Sequence, residues 1–206
     1  MKSDTSEPHY VPSPKPRMLY GLAINDTHIF CVSVLLFIAT LTFHRYLLSP
    51  DWATSTDGLK FIDVVSRFYP GLHDIKENWD GYTPWIGALF ALMGVLMPIH
   101  WLLGFSSSRY FPKERHEKYI ITSSRRQFFI VFMITFASAT IPFFYPHIHG
   151  NGCRRLITNQ ASDSLTVLFG SWFIINAAIF GFGQNIGALT LRLQIKNFVA
   201  IDGDSK

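Results

Sequence analysis

Residues 165–191 read LTVLFGSWFIINAAIFGFGQNIGALTL, 27 consecutive positions without a formal charge. A helix needs about 20 predominantly apolar residues to cross the hydrocarbon core of a bilayer, so this stretch is long enough to span. Three amides, Asn176, Gln184 and Asn185, interrupt it, and Gly183 and Gly187 form a small-xxx-small pair. A helix that only dissolves in lipid needs neither feature. One that packs against other helices uses both, because glycine lets backbones approach and amides hydrogen-bond across the gap. The stretch reads as the last span of a small integral membrane protein.

Working outward, three more apolar segments appear, at about 28–48, 84–105 and 128–145. In the first, the core Ile29–Phe43 carries no charge, and His28 and His44–Arg45 lie near its ends, where an arginine can snorkel to the interface. The second places Gly87, Ala91 and Gly94 at helical spacing, a further small-residue stripe. Pro98 is expected to kink it, and His100 follows close to the interface. The third is short, with a small-polar patch at Ala137–Thr140 and Pro142 loosening its end. The fold class expected is an all-α membrane protein of four transmembrane helices in a bundle. The domain plan is a tail over 1–27, a four-span domain over 28–191 and a second tail over 192–206.

Charge sorts the connections onto two sides. The first 20 residues contain Pro8, Pro12, Pro14 and Pro16 and read as a flexible tail. The connection over 106–126 is strongly basic. Counting lysine and arginine on alternate sides gives twelve for the two tails and the middle loop against six for the other two loops together with Arg45. Positive residues accumulate on the cytoplasmic side, so both termini are expected there. The long loop 49–82 faces outward and holds one amphipathic segment, Leu59–Tyr69, with Leu59, Ile62 and Val65 at helical spacing. It is expected as a short helix on the membrane surface or capping the bundle. Pro70–Gly71 is read as its stop.

The net charge of +4 follows this topology, so nucleic acid is not the expected partner. No GxSxG, HExxH, Walker A or GxGxxG pattern occurs, and no acidic residue lies inside an expected span. His147, His149 and Cys153 match no standard metal spacing, and no cofactor is called for. The two cysteines, Cys31 and Cys153, fall near opposite faces, which argues against their pairing. Enzyme and carrier chemistry are both disfavoured. A lipid- or quinone-directed enzyme using His100 or His147 and His149 is the weakest reading. What fits the features is a protein that binds something in or on the membrane.

Toward the C-terminus, Arg155–Leu156, Asn159 and a small-polar run lead into LTVLFG at Leu165–Gly170, and ATST at Ala53–Thr56 follows the first span. In these segments and in its topology the chain resembles the immunity proteins of pore-forming bacteriocins, of the colicin A type. It departs from them in a longer N-terminus and a divergent middle loop. The resemblance implies an inner-membrane protein whose partner is a pore-forming toxin domain, bound laterally through its membrane-inserted helices and held closed. The residues it points to are Gly87, Ala91, Asn176, Gly183 and Gly187 in the spans, with Arg154, Arg155 and Asp163 outside. Two readings stand beside it. The same small residues could simply hold the protein's own helices together. The chain could also be a non-catalytic structural or assembly subunit of a secretion, conjugation or respiratory complex, its partners being other membrane-protein helices. If the charged outer loop takes part in recognition, replacing Arg154 and Arg155 with alanine lowers protection against the toxin while the protein still folds. Unchanged protection with unchanged folding removes the loop from recognition.

Overall fold

The computed structural model describes residues 18–19, 22–78, 82–112, 115, 123–144 and 165–203. Among these the chain is helical apart from a small antiparallel pairing of β1 (Met18–Leu19) with β2 (Leu22–Ala23). The first long helix, α1 (Asp26–Thr42), runs on through a π-helical turn at Phe43–Leu47. Three short helices follow: α2 (Pro50–Thr54), α3 (Thr56–Ser66) and α4 (Pro70–Asn78). Three long ones complete the fold: α5 (Pro84–Tyr110), α6 (Arg125–Phe144) and α7 (Leu165–Gly203). Two helices, Asp26–Leu47 and Pro84–Tyr110, are long and apolar enough to cross a membrane, and Arg126–Thr140 is a shorter apolar helix.

Helices α1, α2, α5 and α6 start where side chains take up their unpaired N–H groups. Asn25 caps α1 by accepting from the amides of Thr27 and His28, while the His28 ring accepts from the Asn25 amide. The triplet Asn25–Asp26–Thr27, which resembles a glycosylation sequon, is therefore a helix start. Ser49 caps α2 and Thr83 caps α5, each followed by a proline whose missing N–H costs nothing at that position. Ser124 and Gln127 exchange backbone and side-chain hydrogen bonds and form a capping box for α6. Pro70 likewise opens α4. The expected stop is a start, because a proline that ends one helix suits the first turn of the next. The last helix does not end at Leu191 but continues to Gly203.

Contacts between named residues give the helix directions. Ser33 meets His100 and His44 meets Trp85, so α1 and α5 are antiparallel. Asn185 meets Thr135 and Arg192 meets Ser123, so α6 and α7 are antiparallel. Asn176 meets Met93 and Gly187 packs on Phe105, so α5 and α7 run parallel. The long helices thus alternate in direction along the chain. The most extensive contact is between α5 and α7. There Gly183 lies against the Trp101 carbonyl, Gly187 against the Phe105 carbonyl and Gly104 against the Phe180 carbonyl, too close for any of the three to carry a Cβ without displacing backbone.

The loop between α1 and α5 is built into the core. Ala53, Ile62, Val65, Tyr69, Leu72 and Ile75 are buried, and α3 packs along the first half of α5. The expected amphipathic helix exists as α3, but it is one of three short helices. The Tyr69 ring reaches Gly94, ten residues into α5, where an added Cβ would sit 2.9 Å from Tyr69 Cδ1. Burial pushes the Tyr69 phenol above its ordinary range. On the outer face, Lys76 of α4 pairs with Asp63 of α3 at 2.6 Å. The hydrogen bond the ammonium donates to that carboxylate holds it above the usual lysine range. A raised lysine pKa contributes stability that is present below the unfolded value and lost as pH rises through the folded one, and an exposed pair of this kind contributes about 0–1 kcal/mol.

The close approach predicts a sharp contrast along α7. Gly183→Leu drives a side chain into the α5 backbone and is expected to cost about 2–4 kcal/mol or prevent folding. An added Cβ at Gly181 meets only Thr135 Cγ2 at 3.8 Å, an ordinary contact. Gly181→Ala is expected to be neutral or to stabilise by up to about 1 kcal/mol through helix propensity. Denaturation of the detergent-solubilised protein measures both; equal effects would mean that α5 and α7 do not touch as described.

Candidate functional site

Several polar side chains in the apolar helices turn inward and meet partners in this chain. Gln184 donates to Ser107 Oγ at 3.2 Å, and Ser107 donates to the Gly104 carbonyl. Asn185 donates to Thr135 Oγ1 at 2.8 Å and to the Gly181 carbonyl at 3.0 Å. Asn176 is buried and directs its amide nitrogen at the Met93 sulfur, 3.9 Å away. Asn176, Gln184 and Asn185 thus tie the last helix to α5 and α6. Below them, Arg192 donates to the Ser123 carbonyl at 2.8 Å and lies over the Phe128 ring, fixing the far end of α7 to the start of α6.

A second polar point joins α1 to α5. His100 is completely buried, and its Nδ1 lies 2.6 Å from Ser33 Oγ. Its Nε2 has no hydrogen-bond partner among the described residues. Beside it lies a small cavity of about 10 Å³ between Ser33, His100 and Asn176, at the lower limit for holding one water. His44, read from sequence as an interfacial residue near the end of the first span, is also buried within the bundle. Its Nε2 lies 3.0 Å from the Trp85 carbonyl, and its ring packs tilted against the Trp85 indole with centroids 3.9 Å apart.

The residues singled out in the sequence are therefore placed as follows. Gly183 and Gly187 face α5. Ala91 and Asn176 are buried in the core. Gly87 faces the Tyr82 ring. None of these five lies on an outward surface. Arg154, Arg155 and Asp163 lie outside the described residues, as do His147, His149 and Cys153. Among the described residues no three His, Cys, Asp or Glu side chains group as a metal site. Gly104, Ser107 and Ser33 belong to the same interior set and were missed. The signal for the first two was the small residues Gly104, Ser106, Ser107 and Ser108, which extend the stripe of the second span past its expected end.

What faces outward is apolar. On α1, Val32, Leu35 and Ile38 are exposed, and on α6, Phe129, Ile134 and Phe136. Between α3, α5, α6 and α7 lies a lateral groove of about 480 Å³, lined by Phe68, Tyr69, Pro98, Trp101, Thr140 and Phe182 among others. It is open at the side of the bundle where α5 emerges from under α3.

Comparison with family models, with curated proteins and with solved structures finds no match.

The Ser33–His100 contact predicts a non-additive pair. Ser33→Ala alone strips a buried imidazole of its partner and is expected to cost about 1–3 kcal/mol. The double variant Ser33→Ala/His100→Leu removes both polar groups and is expected to lose less than the single one. A double variant whose loss equals the sum of the two single changes would show the contact to be energetically empty.

Proposed function

We propose that this chain is a four-span inner-membrane protein with both termini in the cytoplasm that acts by binding, without chemistry of its own, and that its role is immunity against a pore-forming toxin. One observation carries the binding reading. The amides and glycines of the apolar helices are engaged inside the chain, so the surface that remains for a partner is lateral and made of large apolar side chains on α1 and α6. The immunity reading adds the resemblance in the last loop and span.

On this reading the five interior residues act through the fold. They hold the bundle together so that α1 and α6 present their apolar faces outward. A partner helix meets Val32, Leu35 and Ile38 edge-on, and Arg154, Arg155 and Asp163 of the outer loop add selectivity by charge. Binding the closed form of a voltage-gated channel about 4 kcal/mol more tightly than the open one lowers the open fraction about a thousandfold. That is within reach of van der Waals contact along one helix, which needs no catalytic group.

The test is protection. The chain is expressed in sensitive bacteria, the product of the neighbouring open reading frame is delivered to the periplasm, and membrane potential is followed. Depolarisation is expected without this protein and not with it. Leu35→Ala/Ile38→Ala, which trims the exposed α1 face, is expected to reduce protection at least about tenfold while leaving the protein level unchanged. A neighbour that neither depolarises nor harms the cells sinks the immunity reading. A stable large assembly after gentle detergent extraction, formed without any toxin, identifies a structural subunit instead.

A further inference from the structure

The lateral groove between α3, α5, α6 and α7 contains a backbone carbonyl that its own helix leaves without a donor. Pro98 stands inside α5 and has no N–H, so the carbonyl of Gly94, four residues earlier, lacks the hydrogen bond that would continue the helix. Gly94 and Pro98 both line the groove, and Gly94 has no side chain to screen its backbone. A carbonyl freed by proline in a membrane-spanning helix is ordinarily satisfied by a serine or threonine side chain, a neighbouring helix or water. Thr140 of α6 lines the same groove, but its hydroxyl donates to the Phe136 carbonyl of its own helix at 2.7 Å. No side chain among the described residues donates to the Gly94 carbonyl.

Volume, charge and depth narrow the occupant. At about 480 Å³ the groove falls within the roughly 300–1,000 Å³ of small-ligand sites. A helix with its side chains is about 10 Å wide or more and rises about 5.4 Å per turn, so the groove takes roughly one turn of it and no partner helix can lie there. Among the described residues no charged side chain lines the groove, which gives a charged headgroup nothing to pair with. Gly94 lies ten residues into α5, about 15 Å along its axis. That is half of a hydrocarbon core about 30 Å thick. At such a depth a phospholipid offers only methylene groups, and these leave the carbonyl unpaired. A hydrocarbon carrying a hydroxyl meets both demands: its body suits the walls of Phe68, Val95, Ile179 and Phe182, and its one donor suits the carbonyl.

We propose that this groove binds an uncharged long-chain alcohol, its hydrocarbon lying along α5 from Pro98 to Trp101 and its hydroxyl donating to the Gly94 carbonyl. The inference rests on the membrane-embedded reading above but not on immunity: it concerns a different face of the bundle from α1.

Tryptophan fluorescence of the full-length protein in detergent tests it, because Trp101 lines the groove about two turns beyond Gly94. The probes are undecanol with bromine at its tail end, which quenches a nearby indole, and the methyl ether of the same molecule, compared at equal mole fraction in the micelles. The alcohol is expected to bind about fivefold more tightly than the ether, which has no hydrogen to donate; that is the size of one net hydrogen bond. Pro98→Ala returns an N–H to the Gly94 carbonyl and is expected to bring the two affinities together while both probes still bind. Thr140→Val, which leaves α5 unchanged, is expected to keep the preference, and Trp101→Phe to remove the quenching. Equal affinities in the unaltered protein, a preference that persists in Pro98→Ala, its loss in Thr140→Val, or quenching that survives Trp101→Phe each overturns the proposal. So does a phospholipid brominated on its acyl chain that quenches as strongly as the alcohol, which would make the groove a seat for ordinary lipid. A chain extracted from cells without detergent fails the membrane reading itself, a separate result from any preference between alcohol and ether.

Discussion

Everything in this bundle depends on how closely α5 and α7 approach. Gly104, Gly183 and Gly187 let the two backbones touch, each glycine seated on a carbonyl of the facing helix. In lipid there is no water to expel between helices, so association comes from van der Waals contact and from polar groups that find partners. The three glycines supply the first and thereby make the second possible. Gln184 reaches Ser107 only because the helices are that close, and Ser107 returns its own hydroxyl to Gly104. Parallel helices cannot be joined by a short loop. α6 is the return element that allows α5 and α7 to run side by side, and Asn185 and Arg192 fasten it.

The second constraint is the segment between α1 and α5. A simple connection would leave the first half of α5 uncovered. Here α3 and α4 cover it, and exposed apolar side chains on α5 begin only at Val95. The Tyr69 ring fits against Gly94 because that position has no side chain. The cover is therefore specified by a glycine in the long helix as much as by the pattern of the short one. It also creates the groove, since α3 ends where α5 continues and leaves a step between them.

The existence of the long helices was legible in the sequence. Uncharged apolar runs ended by polar, proline-containing connections admit few other readings, and the observed starts at Pro84 and Leu165 agree with those expected. The partners of the glycines and amides were not legible. A small-xxx-small pair says that something comes close, not whether it is the same chain or another. For Gly183, Gly187 and Asn176 it is the same chain. The depth of the loop helices was hidden for a related reason. The spacing of Leu59, Ile62 and Val65 gives a face of α3, but a face carries no information about the level at which it docks. It also misplaced Leu59, which is exposed, while Gly58, without any hydrophobic signal, is buried against Trp52. His44 was read from its distance to the end of the span. Its burial follows from Trp85, 41 positions later in the chain, which no local pattern connects to it.

A bundle that uses its polar groups internally suits a binding role better than one that keeps them for a ligand. Binding that selects one state of a partner must resist deformation, because any energy spent in rearranging the binder is subtracted from the difference it imposes. With α5 and α7 locked at their backbones and α6 tied to α7 at Thr135 and Ser123, the outward face of α6 can shift only if those contacts break. The α1 face is held less extensively, through Ser33–His100, His44–Trp85 and the Phe30–Phe180 edge contact. Of the two lateral surfaces, α1 is therefore the one that can adjust to a partner, and α6 the one that stays fixed.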